Sequence, residues 1–391
     1  MPTLNLAPAS PEDYRKRAER RLPRPLFDYL DGGAGQETSL KANTADFKRL
    51  ALNQRVLRDV SDVDTSLNLL ETAMTMPLAL SPIGMGGMMA RRAEVQAAQT
   101  AGKFGIPFTL STVSICSMEE VAGATSIPFW FQLYMLRDRG HVQELLQRAK
   151  AVGCRTLVFT VDLAVVGTRY RDIRNGMGGN IGSYGKFRSG LFEYITHPRW
   201  ALDVGLKGGP HVFGNISEYV PDAHTPDKFK AWLDAQIDPS VTWKDIEWLR
   251  TIWDGNLIIK GVLNPDDAVS AVNAGADAVI VSNHGGRQLD GVFSTIRILP
   301  QIVEAIGEKA DVILDGGVRS GQDIVKTLAL GAKAAMIGRP WIWALAASGA
   351  TGLENLLATF QAEMKTTMAL TAALNPADIS ADVLANRLPE A

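Results

Sequence analysis

The stretch AVIVSNHGGRQLD runs from Ala278 to Asp290. Its first four residues, Ala278 to Val281, are apolar with no polar alternation, as in a strand buried on both faces of a parallel sheet. The chain then turns polar at once. His284 and Arg287 stand three positions apart, and Gly285 and Gly286 between them let the backbone bend sharply and approach a bound molecule. A group that titrates near neutrality thus lies beside a permanent cation, a pair suited to a ligand with a proton to lose and a carboxylate to hold. A packed histidine and a surface arginine would read alike in isolation, but the strand end, the glycines and the neighbouring cation together favour a site.

Moving outward, the same unit recurs: a helical stretch, a small-residue turn, a short apolar strand. It appears as FGIPFTLS (Phe104 to Ser111), VGCRTLVFT (Val152 to Thr160), AGADAVIVS (Ala274 to Ser282) and LGAKAAMIG (Leu330 to Gly338). PLALSP at Pro77, FWFQLY at Phe129, LIIKG at Leu257 and DVILDGG at Asp311 bring the candidate strands to eight. Helical patterns from His141, Asn264 and Gly321 lie between them, the latter two opening on a turn or cap residue and stopping at glycine. Eight strands alternating with helices predict an α/β fold of the (β/α)8 TIM barrel type. An open doubly wound sheet is the alternative. It would carry a dinucleotide fingerprint, and Gly84, Gly86 and Gly87 do not supply one because Met89 occupies the third glycine position. A nicotinamide cofactor is disfavoured.

Composition narrows the classes. With 391 residues, 46% hydrophobic and 21% charged, and a formal net charge of -2, the chain has material for a large core and no basic run of the kind that binds nucleic acid. Cys116 and Cys154 show no CxxC spacing, so a disulfide framework and a structural zinc site are disfavoured, no metal site is expected, and a reducing compartment fits. The first residues carry no apolar signal segment, and no run is long enough to span a membrane.

A barrel gathers chemistry at the C-terminal ends of its strands. Ser111 ends the second strand, Gln132 and Tyr134 the third, Thr160 and Asp162 the fourth, and Lys260 the fifth. His284 and Arg287 follow the sixth, Asp315 and Arg319 the seventh, Gly338 and Arg339 the eighth. Any one of these reads equally well as a capping or solvated residue; together they mark seven of eight strand ends. After strands seven and eight, DGGVRSG from Asp315 and GRP from Gly338 offer backbone N–H groups and two arginines, as a phosphate site does. Asp315 is anionic and does not hold phosphate, but a carboxylate accepts from polyol hydroxyls. The combination suits FMN.

SNHGGRQLD, with LPRPLFDYLDGGA before it and DGGVRSG and GRP after it, resembles the FMN-dependent 2-hydroxy acid oxidase and dehydrogenase family over nearly the whole chain. LSTVSICSMEEVA, FWFQLYMLRDRG, HPRWALDVGL and SVTWKDIEWLR are most similar to its quinone-linked bacterial L-lactate dehydrogenase branch. The resemblance implies FMN as cofactor, oxidation of a small 2-hydroxy acid such as L-lactate, a quinone or membrane acceptor, and a homotetramer. By matching position, it makes His284 the catalytic base and Asp162 the carboxylate that pairs with it. Arg169, Arg287, Tyr29 and Tyr134 become substrate ligands, with Tyr134 also catalytic. Pro82, Ile83 and Gly84 line one flavin face, Ser111, Gln132 and Thr160 address the ring edge, and Lys260 is the cation beside it. Ser282, Asp315, Gly317, Arg319, Gly338 and Arg339 complete the cofactor site. At Val113 many relatives carry a bulky aromatic, so a preference set there does not transfer. Tyr29, without the resemblance, reads as a packed aromatic on an N-terminal helix.

One segment departs from the repeat. About residues 175–240, between strands 4 and 5, form an insertion too long for an ordinary barrel connection. It reads either as a lid or subunit contact, or as an interfacial membrane anchor built from Leu191, Phe192, Tyr194, Ile195 and Trp200 near Lys186, Arg188, Arg199 and Lys207. The resemblance favours membrane contact and a peripheral place on the cytoplasmic side of the inner membrane. The whole reads as a single domain, 1–391, with helical segments at 1–60 and 350–391 flanking a barrel at 75–345. A soluble oxidase using O2, a mandelate-type dehydrogenase and an FMN barrel isomerase are the competing functions; the isomerase leaves Arg169, Arg287 and the two tyrosines without purpose.

Overall fold

The computed structural model describes residues 6–177, 190, 192–220, 232 and 235–389. Lys186, Arg188, Leu191 and the side chain of Tyr194, all expected in the anchor, lie outside the described residues. A hairpin comes first among the strands, β1 (Leu67–Leu69) and β2 (Thr72–Met74). Then follow β3 (Leu78–Leu80), β4 (Thr109–Ser111), β5 (Trp130–Leu133), β6 (Thr156–Thr160), β7 (Asn256–Val262), β8 (Ala278–Val281), β9 (Asp311–Asp315) and β10 (Ala334–Ile337). These eight pair in parallel in the order β3-β10-β9-β8-β7-β6-β5-β4, and a parallel bridge between Leu80 and Phe108 joins the two ends into a closed barrel. All eight coincide with the strands expected from the repeats.

Period-two alternation divides each strand between two cores. Ala79, Trp130, Val158, Ile258, Ile280, Ile313 and Met336 fill the barrel interior, while residues such as Leu80, Phe131, Leu157 and Ile259 face the surrounding helices. Leu67, Leu69, Leu70 and Met74 join the interior cluster, so the hairpin plugs the N-terminal mouth. There Asn256, the first residue of β7, donates to the Leu70 carbonyl at 3.1 Å. The hairpin fills that mouth, and the cavity described below lies at the C-terminal ends of the strands.

Three helices precede the barrel: α1 (Pro11–Arg21), α2 (Arg24–Asp31) and α3 (Thr38–Arg49). Ser10 and Asp13 form a reciprocal capping box at the start of α1. No helix continues from 50 to 60, where the chain runs irregularly and Leu52 bridges Leu384. The C-terminal helix starts earlier than expected, at Arg339, and runs to Thr371 with a break at Gly349 (φ 66°). It packs against α1, and two short 3-10 turns follow it.

The insertion contains the short helices Glu193–Thr196 and Pro198–Trp200 and a π-helical turn, Ala201–Leu206. Trp200 corrects the anchor expectation. It is 2% exposed and its indole N–H donates to the Met88 carbonyl at 2.8 Å, so it packs the insertion onto the barrel instead of facing a membrane. Both cysteines are free and buried.

Candidate active site

The alternation that fills the barrel also builds the site. Two residues beyond the inward Ala79, Trp130, Val158, Ile258, Ile280, Ile313 and Met336 come Ser81, Gln132, Thr160, Lys260, Ser282, Asp315 and Gly338, which therefore share the inward direction. A cavity of about 1100 Å³ opens above this polar layer. Tyr29, Ile83, Gly84, Tyr134, Thr160, Arg169, Lys260, His284, Arg287, Asp315, Gly317, Arg319, Gly338 and Arg339 line it. Asp162, Ser111, Gln132 and Ser282 stand behind its wall.

His284 has φ 56°, a left-handed conformation that costs a side-chain-bearing residue ~1–3 kcal/mol and persists where the surroundings enforce it. Its amide donates to Ser282 Oγ at 3.1 Å. Its Nδ1 lies 2.8 Å from Asp162 Oδ1, and a carboxylate only accepts, so the hydrogen sits on Nδ1 and the Nε2 lone pair is free. Removal from water lowers the His284 pKa below its ordinary value, and Asp162 opposes the shift without overcoming it. Asp162 is itself held below the usual carboxylate range: burial opposes ionisation, but the imidazole and Lys260 outweigh it. A neutral imidazole on an ionised carboxylate is a base poised to accept one proton.

Beside it stands a cluster of cations. The Arg287 carbon Cζ sits 4.8 Å and that of Arg169 6.0 Å from the centre of the Tyr29 ring. Burial, with repulsion from Arg169, pulls Arg287 down to about 10, so it stays protonated at neutral pH. One of its terminal nitrogens donates to the Tyr29 and Gly32 carbonyls; among the described residues its other two nitrogens are uncommitted. Arg169 is more engaged, with the Arg287 carbonyl at 3.3 Å and Asp172 at 3.6 Å. Burial and the Asp162 charge raise the Tyr134 phenol, which keeps its proton and remains a donor.

Where the ends of β7, β8 and β9 meet, Asp315 is the hub. It accepts from Ser81 (2.7 Å) and Ser282 (2.9 Å) and pairs with Lys260 at 3.1 Å. Burial alone would raise its pKa, but Lys260 and the two hydroxyls hold it low. Its oxygens are thus largely spent on protein donors, more so than the polyol reading requires. Gly317 (φ 95°) would place a Cβ 2.1 Å from the Asn43 carbonyl oxygen, so no other residue fits that turn. Arg319 lies 5.2 Å from the Trp343 ring and is pulled to about 10 by burial. Arg339 is pulled to about 9 by burial and by Arg287. All three Arg339 nitrogens donate to backbone carbonyls, those of Leu30, Gly285 and Gly32 at 3.1, 2.9 and 2.7 Å. The side chain is therefore a strut between α2 and the His284 loop. What it brings to a phosphate is its charge and its backbone amide at the start of a helix.

These residues fit FMN. Among the described residues Arg287, Arg319 and Arg339 have no carboxylate within ion-pair distance, and Thr160 Oγ1 in the cavity wall and Gln132 Nε2 behind it have no hydrogen-bond partner, which suits a group that brings an anion and polar ring atoms. Ser111 donates to Gln132 Oε1 at 2.9 Å and so aims the free amide nitrogen.

Two contributors escaped the sequence reading. Ser81 supplies the eighth strand end, and only its inward parity after Ala79 signals it. Arg171 joins Asp31 (2.9 Å) to Glu37 (2.7 Å), fixing α2, and with it Tyr29, over the barrel; no sequence signal marks it.

The model of the FMN-dependent dehydrogenase family matches residues 18–386. An L-lactate dehydrogenase of Haemophilus influenzae is 51% identical over 376 residues, 96% of this chain and 98% of that protein. One of Xanthomonas axonopodis pv. citri is 52% identical over 372 residues, 95% of each. Among solved structures, the monotopic membrane protein (S)-mandelate dehydrogenase superposes with a TM-score of 0.90 at 36% identity, covering 98% of this chain and 100% of the other. A mandelate oxidase gives 0.82 at 35% identity, with coverage of 98% and 100%. On these matches the chain belongs to the FMN-dependent dehydrogenase family.

Proposed function

We propose that this protein oxidises L-lactate to pyruvate and passes the electrons to a membrane quinone. The observation that carries the reading is the pairing, in one cavity, of a neutral base oriented by a carboxylate with an arginine that, among the described residues, keeps two of its three nitrogens uncommitted. Arg287, assisted by Arg169 and Tyr29, holds the substrate carboxylate, a contact whose strength and direction come from charge-assisted N–H donors. Tyr134 donates to the hydroxyl oxygen or the carboxylate. His284 Nε2 accepts one of the two protons lost as the alcohol becomes a ketone, and Asp162 stabilises the resulting imidazolium. FMN, when bound, would supply the acceptor for the two electrons and the other proton. Thr160, Lys260, Asp315, Gly317, Arg319 and the backbone at Gly338 and Arg339 would hold it, with Ile83 and Gly84 against one face and Ser111, Gln132 and Ser282 behind.

Membrane contact is part of the proposal. Ile195, Leu202 and Leu206 are 66%, 53% and 76% exposed and lie close in sequence to Arg199 and Lys207, an apolar and basic mixture suited to an anionic lipid surface. Among the described residues no helix is long and apolar enough to cross a membrane; the place proposed, as the resemblance implies, is peripheral, at the cytoplasmic face of the inner membrane. The assembly expected from the resemblance is a homotetramer.

Anaerobic mixing of the FMN-loaded protein with L-lactate tests the reaction. The flavin absorbance should bleach and return on adding a quinone, and under air hydrogen peroxide should stay far below stoichiometric. Absence of bleaching by L-lactate would defeat the substrate assignment; stoichiometric peroxide would make the protein an oxidase.

A further inference from the structure

Where the insertion passes residues 211–216, it is fastened to the end of β4. Asn215 is 1% exposed. Its Nδ2 donates to the Ser111 carbonyl (3.0 Å) and to Ser114 Oγ (2.9 Å), and its Oδ1 accepts from the Met118 amide at 2.8 Å. The Gly214 amide donates to the Ser114 carbonyl at 3.1 Å, and Arg148 holds the Asn215 carbonyl from the other side at 2.8 Å. An asparagine with its amide spent in this way is a strut.

What the strut supports is a wall. Val212 and Phe213, next to it in sequence, line the same cavity as Tyr29, Arg169 and Arg287. A Cβ on Gly84 would stand 2.7 Å from Val113 Cγ2 and 3.5 Å from Tyr29 Oη, which puts Val113 beside the phenol at the carboxylate end. Ser114, the neighbour of Val113, is the residue that Gly214 and Asn215 grip. The wall therefore stands at the substrate end of the cavity, away from the phosphate end marked by Gly317 and Arg319. Its character, with Val113 and Ile115, is apolar.

Resting on the reading of this site as a 2-hydroxy acid dehydrogenase, we propose that Val212 and Phe213, held by Asn215, form with Val113 and Ile115 the pocket for the substrate side chain. Phe213 sets the length that enters. Each methylene buried against such a wall is worth about fourfold in binding, so the pocket ranks substrates by side-chain length. The purely structural alternative, an insertion docked for stability alone, predicts no effect of Phe213 on chain-length preference.

The test uses the full FMN-loaded chain as wild type, Phe213→Ala, Phe213→Leu and Asn215→Ala, with L-lactate, L-2-hydroxybutanoate and L-2-hydroxyhexanoate. The ratio of kcat/KM for the six-carbon acid to that for lactate should rise about tenfold in Phe213→Ala, within the range that one pocket contact commands, and by less in Phe213→Leu. In Asn215→Ala, discrimination between chain lengths should flatten. Equilibrium dialysis with pyruvate and 2-oxohexanoate should show the same change in relative Kd without turnover. Should Phe213→Ala fail to fold, Phe213→Leu decides the matter. A ratio within twofold of wild type in the folded Phe213 variants, by turnover and by dialysis, overturns the proposal. If no 2-hydroxy acid bleaches the wild-type flavin, it is the underlying reaction that falls.

Discussion

Replacing Asp162 with Asn separates the charge of the carboxylate from its role in aiming the imidazole. Asp162 Oδ1 stands 2.8 Å from His284 Nδ1. When Nε2 takes a proton, the two charge centres are about 4 Å apart, which at an effective dielectric of about 20 is worth ~4 kcal/mol. An asparagine oxygen still accepts from Nδ1 and returns ~1 kcal/mol of that as a neutral hydrogen bond. The net ~3 kcal/mol corresponds to a fall in kcat/KM of about 10²-fold, at ~1.4 kcal/mol per decade. The pH profile adds a signature. Burial pulls the His284 pKa below 6.5 and Asp162 pushes back, so loss of the carboxylate leaves burial unopposed and lowers the pKa further. Because the neutral imidazole is the active form, the acidic limb of kcat/KM should move to lower pH even as the plateau drops. Steady-state kinetics with L-lactate and an artificial acceptor across that limb measure both. A limb that moves up towards 6.5 means that the ring has swung into water, and a plateau within threefold of wild type means that the imidazolium needs no counter-charge; either result refutes the reasoning.

Arg287→Lys keeps a positive charge but not the planar fork, so kcat/KM for L-lactate should fall about 10- to 10²-fold, the worth of one charge-assisted hydrogen bond, with flavin content unchanged; stopped-flow reduction and a flavin-to-protein absorbance ratio check it. Gly317→Ala drives a Cβ to within 2.1 Å of the Asn43 carbonyl in a backbone conformation with φ 95°, and should cost ~3 kcal/mol or more of stability and strip FMN from the purified protein, as read by thermal unfolding and flavin content. Leu202→Asp with Leu206→Asp should shift the protein from the membrane to the soluble fraction while turnover with a soluble acceptor holds, because both side chains are exposed and neither lines the cavity.

The barrel was legible because a strand buried on both faces leaves a short, uninterrupted apolar run, and the polar residue that follows it stands out against that run. The site was legible for the same reason wherever the inward residue was polar and large, as at Gln132, Lys260 and Asp315. Ser81 was missed because a small serine in PLALSP looks like the start of a turn. Tyr29 could be assigned only by resemblance, since the contacts that bring α2 over the barrel, such as Asp31 to Arg171, join residues 140 positions apart. The insertion was the least legible part. With no periodic pattern to divide buried from exposed residues, Trp200 was grouped with Ile195 although it packs against Met88.

The same alternation explains why the His284 loop needs its left-handed run. Residues 284 and 287 are an odd number of positions apart, so in an extended continuation of β8 they would point to opposite faces, and imidazole and guanidinium would never meet over one ligand. Three consecutive positive φ values, 56°, 66° and 74° at His284, Gly285 and Gly286, curl the chain instead and return Arg287 to the cavity that His284 lines. Glycine adopts this conformation freely at two of the three positions, so strain is confined to the histidine. There Ser282 Oγ holds the backbone amide and Asp162 the ring. Ser282 in turn is tied to Lys260 and Asp315 on the neighbouring strands, so one hydroxyl connects the proton-accepting part of the site to the cofactor part.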